Sequence, residues 1–207
     1  MSVMGIPMGR RCAIVKNKQG KLVVFSPLEA TPEVLAELRE LGEVAAFVIP
    51  SLFHDHFYDA YFSEFPQARF LGSAAVIKAH PKWPLTELTA ATPELAGIQS
   101  LMLQGMPQVQ EQVFYHEASR SLITADSVFF VPGRHGFMHR LLLKLAGIGA
   151  KVGPSRLFQS MIRDRPAFTA SLQQVLAWEF DRIIPGHGEV IDQNARDQLR
   201  QGYAAYL

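Results

Sequence analysis

The chain has 207 residues, 48% of them hydrophobic and 19% charged, with a formal net charge of +1. That length and apolar share suit one globular domain over residues 1–207 with a sizeable core, and the balanced charge, with no basic stripe interleaved with aromatics, excludes an electrostatic nucleic-acid surface. A single cysteine, Cys12, excludes an internal disulfide framework and a cysteine zinc cluster; within the apolar "CAIV" it reads as a buried, inert thiol.

At the N-terminus, "MSVMGIPMGRRC" shows no cationic segment followed by an apolar run, so no signal peptide is expected. "RCAIVKNKQGKLVVFSPL" reads as two strands around a turn at Gln19-Gly20. "TPEVLAELRELG" (31–42) predicts a helix, capped by Thr31, with Pro32 at its first position, Gly42 at its exit, and Val34, Leu35, Leu38 and Leu41 on one face. The continuous apolar run "VAAFVIP" (44–50) marks a strand buried on both faces. After the loop "SLFHDHF", "YDAYFSEFP" reads as helix and "ARFLGS" as strand, and "SLMLQG" with "EQVFYHEASRSLITAD" gives three more strands. "FTASLQQVLAWEF" (168–180) is an amphipathic helix, "DRIIPGHG" a strand running into a loop, and "NARDQLRQGYAAYL" a final helix. Strands, helices and strands again predict an α/β layered fold.

Residues 133–166 break this pattern and predict a helical insertion with a Gly-rich gap, readable as a lid, an association surface for a homo-oligomer, or extra packing. Its "LLLKLAGIGAKVG" is interrupted by lysines and glycines and is too short to span a bilayer, so a cytoplasmic location without a membrane partner is the expectation. "GIGAKVG" lacks the spacing of a phosphate loop and follows a helix rather than a strand.

There are 7 histidines. His80 precedes a proline in a polar loop, and His116 ends a strand beside a turn, where exposure is expected. His135 and His139 stand four apart as in H-E-x-x-H, but Gly136 replaces the glutamate, which leaves them as surface or lid residues. The others fall at strand ends: "HDH" (54–56) after strand 44–50, "TAD", ending at Asp126, after strand 121–124, and His187 after strand 181–184. Each segment is weak alone, but loops after strands of an α/β sheet converge, and three together are specific.

This order resembles the metallo-β-lactamase fold superfamily, which includes glyoxalase II, and the likeness runs from the first hairpin to the closing "IIPGHG". It implies a four-layer αββα sandwich with the helical insertion. Members carry T-H-x-H-x-D-H, a histidine in a G-H-T-like loop, T-G-D, and P-G-H-G. "TADSVFF" resembles the third motif with Ala125 for its glycine, and "IIPGHG" matches the fourth. Aligned from strand 44–50, Pro50, Ser51 and Phe53 fall on the threonine and the H-x-H histidines, and Asp55-His56 on D-H; a rival register takes His54 and His56 as H-x-H, putting Tyr58 and Asp59 on D-H. Where the second-motif histidine belongs, the chain has Met106 and Pro107. The first register implies that the first metal's own ligands are gone and the second set, Asp55, His56, Asp126 and His187, remains. The closest likeness is to a branch known as a domain of unknown function with an incomplete metal motif.

Two imidazoles and two carboxylates suit one divalent metal, zinc or else iron(II) or manganese(II). Such a site implies hydrolysis of a small-molecule ester, thioester, lactone or phosphoester by activated water, with Asp55 and Asp126 in catalytic roles. A one-metal site needs a second electrophile, for which Arg134, Lys151 and Arg163 are candidates, and His54 is open to use as acid, base or added ligand. The rival expectation is a non-catalytic module with no metal, in which the same residues form a satisfied hydrogen-bonded cluster beside a pocket made apolar by Phe53 and Met106.

Overall fold

The computed structural model describes residues 9–133 and 136–207, together with the backbone of residues 2–3 and 6–7. Arg134 and His135 lie outside the described residues. Two short strands, β1 (Ser2–Val3) and β2 (Ile6–Pro7), pair antiparallel at the start. The expected hairpin follows as β3 (Ala13–Lys16) and β4 (Leu22–Phe25). Its turn is held by Asn17 Oδ1, which accepts from the backbone N–H of Gln19 and of Lys21 at 3.0 Å each.

Helix α1 (Pro32–Leu41) is capped by the Thr31 hydroxyl, which accepts from Val34 N–H at 3.4 Å. Strand β5 (Val44–Ile49), helix α2 (Tyr58–Glu64), strand β6 (Arg69–Gly72), helix α3 (Ala74–Ala79) and strand β7 (Leu85–Glu87) complete a five-stranded sheet of order β3-β4-β5-β6-β7, parallel from β4 onward. Central β5 is an unbroken apolar run because helices cover one of its faces and a second sheet the other.

The second half supplies β8 (Ile98–Met102), β9 (Gln112–His116), β10 (Ser121–Ile123), β11 (Phe129–Phe130), α4 (Phe137–Ala146), α5 (Arg156–Ser160), α6 (Arg165–Ala177), β12 (Arg182–Ile184), β13 (His187–Gly188) and α7 (Ala195–Gly202). Its sheet has the order β12-β10-β9-β8, with β10 and β12 parallel, while β11 and β13 form a separate parallel pair. Helix α6 begins at Arg165 and not at 168, because Asp164 caps it, accepting from Ala167 N–H at 3.0 Å, and Pro166 suits the first turn. His116 is buried, not exposed: its ring bonds the Ser119 hydroxyl at 2.7 Å and the Lys16 carbonyl at 3.0 Å.

Strand periodicity builds the layers. In β4, Val23 and Phe25 turn toward the second sheet, where Phe25 meets the Phe114 ring at 4.7 Å, and Leu22 and Val24 turn toward Leu38 of α1. In the second sheet, Val113, Tyr115, Leu122 and Ile183 face Phe168, Leu172 and Leu199 of α6 and α7. The result is a four-layer αββα sandwich. Truncating a side chain at its centre, such as Phe114→Ala, removes about 3–5 kcal/mol. The insertion holds α4, ended by Gly147 in the left-handed region (φ 72°), a glycine-containing gap, and α5. Among the described residues no helix is long and apolar enough to cross a membrane.

Candidate metal centre

The parallel register of β10 with β12 sets the site. Ile123 pairs with Ile184, so Asp126 and His187 each lie three residues past a paired position and leave the sheet side by side. Two backbone bonds keep the loops together, Thr124 N–H to Ile184 O at 3.1 Å and Gly186 N–H to Ala125 O at 3.2 Å. The loop after β5 comes in from the other sheet and is tied across by Gln112 N–H to Pro50 O (2.7 Å) and Leu52 N–H to Val109 O (3.0 Å). Within it the turn Ser51–His54, closed by His54 N–H to Ser51 O at 3.2 Å, swings Phe53 outward and His54 inward.

His54 Nε2 stands 3.5 Å from Asp126 Oδ2, and His187 Nε2 stands 3.5 Å from Asp126 Oδ1. Among the described residues, His54, Asp126 and His187 form the one group of His, Cys, Asp and Glu able to hold a metal ion, with one ligand atom of each within 4.8 Å of the others. His187 Nδ1 lies 3.0 Å from the Gly9 carbonyl oxygen. A carbonyl only accepts, so Nδ1 carries a proton and Nε2 is the ring atom turned toward the carboxylate. His54 Nδ1 bonds the Ser26 hydroxyl at 2.8 Å, which fixes the orientation of its ring. Burial holds the His54 pKa below its ordinary value, with Asp126 only partly offsetting it. Burial would raise the Asp126 pKa, but the pull of His187 and His54 outweighs it and holds the carboxyl well below the usual range. Asp126 Oδ2 is buried without a hydrogen-bond partner among the described residues. Two imidazole nitrogens and an orphaned carboxylate oxygen gathered in one place form a donor set that suits a cation.

A second polar group sits on the same cavity wall. Asp55 Oδ2 bonds His80 Nε2 at 2.8 Å, Asp55 Oδ1 bonds His56 Nδ1 at 2.8 Å, and His80 stacks on Trp83 at 3.8 Å. Of the four residues that the resemblance implied as ligands, the structure brings Asp126 and His187 together with His54, and joins Asp55 and His56 to His80. All four line one cavity of about 650 Å³ with Leu52, Phe53, Phe129 and residues of the insertion, including Leu145, Leu157 and Phe158. Met106 is buried in the core under α6 and is not part of that wall.

Two residues escaped the sequence reading. Glu111, fully buried before β9, accepts from Ala125 N–H at 2.8 Å, Asp126 N–H at 3.1 Å and the Ser127 hydroxyl at 2.6 Å, and so shapes the turn that presents Asp126. Its pKa is pushed up to about 7, by burial first and then by the Asp126 charge, against the three hydrogen bonds. Arg10 pairs its backbone with His187 and lays its guanidinium over the Phe57 ring at 5.6 Å. Its three guanidinium nitrogens are buried without hydrogen-bond partners among the described residues, and it feels the charges of Asp126 and Asp55. By contrast Lys151 and Arg163 are exposed.

No curated protein sequence matches the chain. Among solved structures, DIM-1 metallo-β-lactamase is 14% identical, with a TM-score of 0.63 over 97% of this chain and 92% of that one. The metallo-β-lactamase from Pontibacter korlensis is 16% identical, with a TM-score of 0.63 over 96% and 88%. TTHA1623 in a di-iron-bound form is 20% identical, with a TM-score of 0.57 over 89% and 90%. At such identities the likeness is one of fold, and the fold is that of the metallo-β-lactamases. The model of one family, described as Domain of unknown function (DUF4336), matches residues 1–141, and the chain belongs to that family.

Proposed function

We propose that the protein is a hydrolase with a single divalent metal held by His54, Asp126 and His187, acting on an ester, thioester, lactone or phosphoester with an apolar portion. The observation that carries this reading is the buried, unpartnered Oδ2 of Asp126 facing two histidines fixed from behind by Ser26 and Gly9. A metal-free hydrogen-bonded cluster would leave that oxygen unsatisfied at a cost of about 1–3 kcal/mol. Two imidazoles and one carboxylate serve zinc, iron(II) or manganese(II) alike.

The ion, when bound, supplies Lewis acidity and lowers the pKa of water towards about 7. The chain's own residues do the rest. Asp55, shared between His80 and His56 on the cavity wall, takes up the proton released as water attacks. Arg10 supplies fixed positive charge beside the centre, the part that a second ion plays in a two-metal site. The apolar wall from Leu52 to Phe158 receives the non-reacting part of the substrate.

Equilibrium dialysis of the untagged protein against Zn²⁺, Fe²⁺ and Mn²⁺, followed by a panel of ester, thioester, lactone and phosphodiester substrates, tests the reading. It predicts one ion per chain and turnover that disappears in Asp126→Ala. A chain that takes up no ion, or one that hydrolyses equally well without Asp126, overturns it.

A further inference from the structure

The insertion turns its apolar side outward. Phe137, Leu141 and Leu145 succeed one another at four-residue steps along α4, with Met138 beside them, so they form one stripe. Phe137 is 76% exposed, Met138 63% and Leu145 58%, and Leu157 of α5 is 49% exposed. Leu143, on the opposite side of α4, is the residue that packs inward. Arg140 and Lys144, also four apart, form an exposed basic stripe next to the apolar one. From 136 to 165 the chain carries six Lys or Arg (140, 144, 151, 156, 163 and 165) and one acidic residue, Asp164.

An exposed apolar stripe flanked by cations is the pattern of a helix lying in the interface of an anionic bilayer, where apolar side chains enter the acyl boundary and cations meet the headgroups. The patch is continuous with the cavity, since Leu145 and Leu157 belong to both. A molecule leaving a lipid surface at α4 therefore enters the cavity without crossing water. A second copy of the chain fits less well, because its patch brings the same cations against these.

We infer that the α4–α5 face docks on an anionic lipid surface and admits a lipid-borne amphiphile to the cavity beside the metal centre. This replaces the expectation of a chain without a membrane partner, which rested on the lack of a spanning segment; docking needs none. Only the fate of the amphiphile rests on the proposed hydrolysis, and the test of docking does not.

Flotation with vesicles of equal parts phosphatidylcholine and phosphatidylglycerol, and with pure phosphatidylcholine vesicles, tests the proposal. The expected result is binding to the anionic vesicles, weakened by salt and by Arg140→Glu or Lys144→Glu about fivefold each. The pair Phe137→Ser and Met138→Ser, both at exposed positions, reduces it about tenfold or more with an unchanged melting temperature. Asp126→Asn retains vesicle binding, so a failed metal centre and a failed docking face are told apart. No binding to anionic vesicles overturns the proposal. So does binding that the serine pair leaves intact, or concentration-dependent self-association that the pair abolishes while vesicles go unbound.

Discussion

Gly186 lies against the His54 imidazole so closely that a methyl group in its place would stand 2.7 Å from Cε1 and 2.8 Å from the Ala125 carbonyl oxygen. The glycine before His187 thus serves a close approach of three segments: its missing side chain lets the last loop press onto the other two. The glycine after His187 has a different reason, since Gly188 sits at φ +88° and a methyl there would meet the Phe130 carbonyl oxygen as β13 pairs with β11. Gly186→Ala is expected to lower stability by about 1–3 kcal/mol through overpacking, and to weaken metal binding about tenfold or more by displacing His54. Thermal melts and metal titration calorimetry of the purified variant measure both; unchanged metal affinity would mean that the contact does not set the ligand geometry.

Comparing His54→Ala with His56→Ala tests which histidine of the "HDH" loop is the ligand: the first register requires His56 and the rival register both, whereas the structure gathers only His54 with Asp126 and His187. His54 is buried against Asp126, whereas His56 is half exposed and its Nδ1 bonds Asp55. His54→Ala is expected to abolish stoichiometric metal, and His56→Ala to keep it. In the wild type, free ion at about 100 times its dissociation constant adds about 2.7 kcal/mol of stability, reversed by a chelator, and His54→Ala loses that increment. Metal retained in His54→Ala and lost in His56→Ala would return the centre to the Asp55-His56 pair.

Much of the fold and of the site is legible in the sequence, for physical reasons that differ by residue. The apolar run of β5 and the cap and proline of α1 are local signals that tertiary structure had no cause to override. Asp126 and His187 are legible because parallel strands deliver their following loops to one edge. The inward residue of "HDH" is not, because a one-residue rotation in a tight turn swaps faces, and the turn is set by a bond to distant Val109. Arg10 depends on pairing with His187, a contact 177 positions away, and Glu111 lies in no motif; buried carboxylates are recognised by their partners, which only the fold assembles.

Glu111 gives the metal-free protein a specific pH dependence. Its carboxyl is raised from 4.5 to about 7 in the folded chain, so folding favours the protonated form. The contribution is complete below pH 4.5, falls by about 1.4 kcal/mol per pH unit above it, and is gone past about pH 7, a total of about 3 kcal/mol. Glu111→Gln cannot ionise, and urea midpoints across this range are expected to lack that decline relative to wild type. The exchange also sets an amide NH₂ among three donors, so the variant binds metal more weakly through a misplaced Asp126. Parallel pH profiles for the two proteins would remove the carboxylate from the account.

Cys12, partly buried where the sequence predicts full burial, tests the packing under α1. Burial pushes its thiol up from 9.0 to about 12, against a smaller opposing effect of Arg10. At pH 8 the thiolate fraction is then about a thousandfold below that of the unfolded chain. A more basic thiolate is also a better nucleophile, with a Brønsted slope of about 0.4–0.5, which returns a factor of about twenty to thirty. The net expectation is labelling by Ellman's reagent about thirty- to fiftyfold slower in the folded protein than in denaturant, before any steric shielding by the surrounding apolar side chains. A folded-state rate equal to the unfolded one would show that this part of the first sheet opens faster than the reagent reacts, and that the thiol is not held in the apolar layer between α1 and the sheet.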